Sequence, residues 1–300
     1  MTLLWHLSVI KNSRFILISG VILSMKGIEK KGFSIKNKTS IPESYFKKTY
    51  ANRDVIIRIN NKKINSKTNK YGDFSISTEV NDTSKIQLFD DKDHEIQKYQ
   101  EYPVVFEQKQ SGPLVISDID DTIMRSFTKT KIKRLITTLF KTAAKRQVIS
   151  YTQQLYESFG ENADFFYVSK SENNLFYLIS GFLLHNELPL GPLFLTPFLN
   201  ASQLLFEKKN ASFKFDNICN ILDHSSNKKV ILIGDDTQSD MDIYYDIIKV
   251  YKDRIEKVYI RQTKTKRSKK QLDQWKRIEA TGVTAYYYKH DEILTTKQQL

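Results

Sequence analysis

Three carboxylates stand within four positions in PLVISDIDDTIMRS, residues 113–126: Asp118, Asp120 and Asp121. They follow a short apolar run, Leu114-Val115-Ile116. Like charges crowded at the end of a core strand are costly unless a positive partner joins them. A second acidic group lies far along the chain, where VILIG is followed by Asp235-Asp236 and then by Asp240. Ser169-Lys170-Ser171 follows the apolar run DFFYV, Ser169 being the candidate hydroxyl, and Lys214 sits in a helix-like segment before the second acidic group. Carboxylates from separate strands are hard oxygen ligands that suit Mg²⁺, which also shares the oxygens of a substrate phosphate. A nearby hydroxyl and ammonium suit a phosphoryl group. Together these residue types imply Mg²⁺-assisted phosphoryl transfer. The competing reading, that each acid only caps a helix, fits either cluster alone better than it fits the ordered set.

Such residues need a frame that makes their strands end together. From Gly112-Pro113 onward, the short apolar runs PLVIS, DFFYVS, KKVILIG, EKVYI and VTAYYY alternate with NNLFYLISGFLLHN, KFDNICNILDH and DMDIYYDIIKVYKD, which have helical spacing. This pattern predicts a parallel sheet with helices on both faces, an α/β Rossmann-like domain over residues 113–300. Ligands of open α/β sheets bind beyond the carboxyl ends of the strands, where the candidate groups lie. Residues 14–110 read differently. FILISGVILS, DVIIRI, the stretch from Phe74 to Thr78, KIQLFDD and YPVVFEQ are strand-like, and NNKKINSKTNKYGD reads as turn residues. Several short strands between polar turns predict a small all-β sandwich domain.

Composition bounds the rest. Of 300 residues, 40% are hydrophobic, and 18 Phe with 16 Tyr can fill a sizeable core, which excludes a chain disordered throughout. The net charge of +13 favours anionic partners. The single cysteine, Cys219, rules out a disulfide within the chain and fits a cytoplasmic setting. FILISGVILS is too short to span a bilayer.

Asp118-x-Asp120-x-Thr122, Ser169, Lys214 and Gly234-Asp235-x-x-x-x-Asp240 resemble the four motifs of the haloacid-dehalogenase-like phosphotransferases. SDIDDTI, FFYVSKSENNLFYLISGFLLHNELPLGPL and VILIGDDTQSDMDIYYDI are similar to the catalytic domain of the actin-patch-protein-type phosphatidate phosphatases. Tyr71-Gly72-Asp73-Phe74 resembles a strand signature of the β domain that precedes it in bacterial members. The likeness is strong over residues 113–260 and loose elsewhere. It implies a Mg²⁺-dependent phosphomonoesterase converting phosphatidate to diacylglycerol. Asp118 would be the nucleophile, forming an aspartyl-phosphate. Asp120 would protonate the leaving oxygen and then activate water, its carbonyl ligating Mg²⁺. Thr122 would brace that loop, Ser169 would hold the phosphoryl group, and Lys214 would neutralise its charge. Asp235 would hold Mg²⁺ with Asp236 or Asp240. A soluble organophosphate or polynucleotide-end phosphatase, or an inactive adaptor acting through its β domain, are the alternatives.

The chain departs from the pattern in places. Phe213-Lys214-Phe215 replaces the usual His-Lys, which leaves Lys208 and Lys209 as alternatives for the cation. Ser171-Glu172-Asn173-Asn174-Leu175 lacks the usual Pro-Trp, and Ser239 stands between Gln238 and Asp240 where a His is usual. These positions surround the expected phosphate pocket, so the chemistry is better specified than the substrate. Two basic runs remain. Residues 129–146 carry Ile132, Leu135, Ile136, Leu139, Phe140 and Ala143 on one helical stripe among lysines and arginines. Such a helix could lie on anionic lipid, placing the protein peripherally at a membrane, or simply pack on the core. KTKTKRSKKQLDQWKR comes with no recognition-helix or RNA-platform motif, so a solvated loop and helix is expected there, not a nucleic-acid partner. The sequence names no partner for the β domain.

Overall fold

The computed structural model describes residues 2–24, 46–60, 62–79, 85–98, 100–124, 149–200, 203, 210–225, 227–237 and 239–289. The basic stripe at 129–146, Lys208, Lys209 and Gln238 lie outside the described residues.

The amino-terminal part is all β. Strands β1 (Thr2–Lys11) and β2 (Ile16–Ser24) form a long antiparallel hairpin. Short strand β3 (Lys48–Thr49) pairs with β2. Strands β4 (Asp54–Ile59), β5 (Lys62–Lys67) and β7 (Ile86–Phe89) make a separate sheet in the order β5-β4-β7. Strand β6 (Asp73–Thr78) returns to β2, while β8 (Gln97–Lys98) and β9 (Val105–Glu107) run parallel to β1. Leu4, Leu7, Val9, Ile16, Ile18 and Ile22 face Val55, Ile57, Ile59 and Leu88 in one apolar cluster, so two sheets share a core. Two details differ from expectation. The β region extends ahead of residue 14, because β1 is its central strand. The lysine-rich tract expected as turn contains β5, an edge strand exposed on alternate residues and half-buried on the others, which leaves no apolar alternation to read.

The second part is the expected α/β layer structure. Strand β10 (Leu114–Ser117) leads by way of helix α1 (Ser150–Ser158) to β11 (Asp164–Glu172). A 3-10 turn, Asn173–Leu175, opens helix α2 (Phe176–His185), then come β12 (Leu193–Thr196) and helix α3 (Phe213–Asp223). Strand β13 (Val230–Asp235), helix α4 (Asp240–Tyr251), β14 (Ile255–Gln262), helix α5 (Lys269–Glu279) and β15 (Thr284–Lys289) complete it. All six strands are parallel, in the order β12-β11-β10-β13-β14-β15. The central strands β10 and β13 are buried throughout, as a sheet covered on both faces requires. Ser268 and Gln271 close a capping box at the start of α5. No helix among the described residues is long and apolar enough to cross a membrane.

The two parts share side chains. Trp5, Val21, Leu23 and Tyr102 belong to the same apolar cluster as Val115, Phe176, Phe198 and Tyr288. Tyr102 donates its hydroxyl proton to the Gly191 carbonyl at 2.8 Å and accepts from the Gly191 N–H at 3.1 Å. Lys228 ion-pairs with the buried Asp164 at 2.6 Å and also reaches the Ser111 carbonyl at 3.1 Å.

Candidate active site

The strand order puts β10 in the middle, with β11 and β13 on either side. Their carboxyl ends therefore deliver Asp118, Ser169 and Asp235 to one place. Asp118 directly follows β10, and its N–H donates to the Ile233 carbonyl of β13 at 2.8 Å. The chain then turns sharply. Asp121 has φ of 57°, and Arg261 donates to its carbonyl. A left-handed position of this kind suits Asp, and the guanidinium holds it there. Asp121 thus shapes the loop that presents its neighbours.

Lys214, on the first turn of α3, reaches into the same place. Its ammonium lies 2.7 Å from Asp118 Oδ1 and 2.7 Å from Asp240 Oδ1. All three residues are at most 1% exposed. Burial works against the ammonium, but the Asp118 and Asp240 carboxylates outweigh it and hold Lys214 above its ordinary range. Among the described lysines, the weakly patterned Lys214 meets both of these acids. Thr122 Oγ1 stands 3.4 Å from Asp118 Oδ2, a long contact on the loop it was expected to brace.

Among the described residues, Asp118, Asp235 and Asp240 form an acidic group able to hold a metal ion, with an oxygen from each within 4.8 Å of the others. Asp235 ends β13. Its Oδ1 accepts from the N–H and hydroxyl of Thr237, while its Oδ2 is buried without a hydrogen-bond partner. Asp240 opens α4 and accepts from the Asp235 N–H at 3.3 Å. The close approach depends on Gly234: a methyl there would come within 2.7 Å of Asp240 Oδ2 and 2.9 Å of the Tyr244 hydroxyl. Burial, then the neighbouring carboxylates, push Asp118 well above the usual carboxylate range despite the opposing pull of Lys214. Burial and Asp240 push Asp235 up to about 7. One ammonium against three buried carboxylates leaves an excess of negative charge, and a buried carboxylate oxygen without a partner is expensive. The oxygen-only donor set fits a hard divalent cation such as Mg²⁺.

Asp236 is placed differently. Its side chain accepts from the N–H of Thr263 at 3.0 Å and from the Tyr287 hydroxyl at 2.9 Å. It ties β13 to the segment after β14 and stands outside the acidic group. Asp120 is likewise not a member of that group. Its Oδ2 accepts from Ser169 Oγ at 3.1 Å and Ser171 Oγ at 2.7 Å, and Ser169 Oγ in turn accepts from the Ser171 N–H at 3.0 Å. Ser171 stood in the strand-end run Ser169-Lys170-Ser171 but carried no role of its own in the sequence reading. The signal was available, since residues two apart on a strand share a face and Ser169 was already a candidate. Lys170, between them, reaches the Ser239 hydroxyl at 2.5 Å, bridging the ends of β11 and β13 across β10. No local pattern announces that contact.

Comparison with known proteins follows this geometry. The family model for the catalytic domain of phosphatidate phosphatase APP1 matches residues 113–262, the stretch that holds Asp118, Asp120, Ser169, Ser171, Lys214, Asp235 and Asp240. The phosphatidate phosphatase APP1 of Saccharomyces cerevisiae is 31% identical over 149 residues, covering 49% of this chain but only 25% of the yeast protein. Among solved structures, one of the Pnkp1/Rnl/Hen1 complex aligns over 72% of this chain and 58% of its own, with 13% identity and a TM-score of 0.34. A carbohydrate acetylesterase from Xanthomonas citri aligns over 93% and 66%, with 8% identity and a TM-score of 0.31. Scores that low carry no argument. The sequence match, over the residues whose strands converge on the site, does: the chain belongs to the phosphatidate phosphatase APP1 catalytic-domain family.

Proposed function

We propose that this chain is a Mg²⁺-dependent phosphomonoesterase that works through an aspartyl-phosphate on Asp118, with phosphatidate as the substrate and diacylglycerol as the product. The observation that carries the reading is the buried contact of Lys214 with Asp118 and Asp240 beside the unpartnered oxygen of Asp235. Asp118 attacks phosphorus, and the bond from phosphorus to the ester oxygen breaks. Asp120, held by Ser171, gives that oxygen its proton. Water then attacks the phosphorus of the aspartyl-phosphate, and Asp120 takes up the water proton. Inorganic phosphate leaves and the Asp118 carboxylate is restored. Lys214 and Ser169 offset charge on the phosphoryl oxygens. Asp118, Asp235 and Asp240 would hold Mg²⁺, which supplies further positive charge against those oxygens.

The substrate reading rests on family membership and on charge. Lys264, Lys266, Lys269 and Lys270 are exposed and follow β14, so they border the same end of the sheet as Asp118. A lipid phosphate presented at an anionic surface would meet this rim.

The test is a panel of phosphatidate, lysophosphatidate, soluble phosphate esters and 3′- or 5′-phosphorylated oligonucleotides, with Mg²⁺. Asp118→Asn, nearly isosteric, should abolish turnover while the circular dichroism spectrum stays unchanged. Near-normal turnover in that variant would sink the mechanism. Preference for soluble esters or oligonucleotide ends would replace the lipid substrate.

A further inference from the structure

The turn between the serine pair and α2 carries no acid, base or nucleophile assigned above, yet strand β1 holds it by both main chain and side chain. Trp5 Nε1 donates to the Asn173 carbonyl at 2.8 Å. His6 Nε2 lies 2.8 Å from Asn173 Oδ1, an acceptor, so the ring proton sits on Nε2. The other ring nitrogen, Nδ1, is buried without a hydrogen-bond partner. The imidazole stacks on Phe176 at 4.4 Å, and Trp5 meets Tyr177 and Phe198 edge-on at 4.8 and 5.5 Å. Tyr177 donates its hydroxyl proton to the Trp5 carbonyl. From the other side, Asn174 exchanges two hydrogen bonds of 2.9 Å with Leu199.

Two residues upstream of Asn173, Ser171 donates to Asp120. Asp120 is only half-buried, so its aim depends on its hydrogen bonds. The turn itself, Glu172-Asn173-Asn174, has neither proline nor aromatic side chain to stiffen it. We infer that Trp5 and His6 are positioning residues for the reaction: strand β1 fixes the Asn173 turn, and through it the Ser171 hydroxyl that aims Asp120 at the leaving oxygen. The inference rests on the phosphatase reading above. A general acid displaced by about 1 Å can lose about a hundredfold in rate, so a distant brace has leverage. The loss falls on one event, the passage of the Asp120 proton to the ester oxygen as its bond to phosphorus breaks.

That event supplies a readout that mere folding damage does not move. An aryl phosphate such as p-nitrophenyl phosphate expels an anion that needs no proton, whereas an alkyl phosphate depends on the acid. In the full chain, Trp5→Phe and His6→Phe each keep an aromatic ring and remove one donor. The double variant should lose about tenfold or more in kcat/KM on the alkyl ester and less than about threefold on the aryl ester. His6→Gln, whose amide can still donate, should recover most of the difference. The ratio between the two esters is independent of how much protein is folded. Equal losses on both esters, or none, would overturn the positioning role and leave the phosphatase reading standing. A wild type that hydrolyses neither ester would overturn that reading and this inference with it.

Discussion

Asp235 Oδ2 is buried with nothing to accept from, while burial and Asp240 hold the carboxyl near pH 7. A group whose folded pKa is raised is protonated below that value, so a divalent cation must displace a proton to bind. Mg²⁺ affinity should therefore rise with pH through about 7 and level off above it. Titration calorimetry in two buffers of different ionisation enthalpy should show proton release at pH 6.5 that shrinks by pH 8.5. Affinity independent of pH would place the ion elsewhere. Asp235→Asn should remove both the proton release and most of the binding. The acids were legible in sequence because each follows a buried strand, and strand ends meet in a parallel sheet. Lys214 was legible only by its order in the chain, and its helix decides what it touches. Ser171 stood in the strand-end run with Ser169, but its contact was not legible because its partner, Asp120, comes from another strand end.

At the scale of elements, strand β1 was the least legible part. Its residues from Leu3 to Ile10 are all buried, so no alternation separates a core face from a solvent face. Beyond its hairpin partner β2, its partners β8, β9 and the Asn173 turn lie far along the chain. The helices α2, α3 and α4, in contrast, carry their apolar stripes openly and fall where their spacing predicts. Inside β1, His6 gives a measurable consequence. Burial, only partly offset by Asn173, lowers its pKa from 6.5 to about 4. Between those values the unfolded chain binds more protons than the folded one, so stability rises with pH across that window. The penalty is absent above about pH 6.5, grows as pH falls, and is complete below about pH 4. Its full size is about 3 kcal/mol. Urea unfolding of wild type and His6→Phe at pH 7.5 and pH 4 should show the variant losing about 3 kcal/mol less on acidification. Asp73, raised to about 6 by burial, changes stability in the opposite sense but is common to both proteins. An equal loss in both would mean that His6 is charged in the fold.

For the whole molecule, the charge of +13 coexists with a negative centre, so the positive charge must lie outside the site. Part of it is the exposed lysine run from Lys264 to Lys270, held against the sheet by the bonds of Thr263 and Gln271 to Asp236. Sedimentation with vesicles containing phosphatidylserine should bind the protein at low salt and release it near 0.5 M, since the screening length shrinks to a few ångströms there. Reversing the four lysines to glutamate should abolish binding and leave turnover of a soluble ester unchanged. Undiminished vesicle binding by that variant would remove the rim from the membrane reading.

Trp5 meets Asn173 across 168 positions of sequence. Closing so long a loop costs chain entropy before any contact repays it. The Asn173 turn is therefore expected to gain its final shape late in folding, after the parallel sheet beneath it has formed. A refolding chain should pass through a stage with native secondary structure and a silent active site, and recovered activity should lag behind recovered circular dichroism.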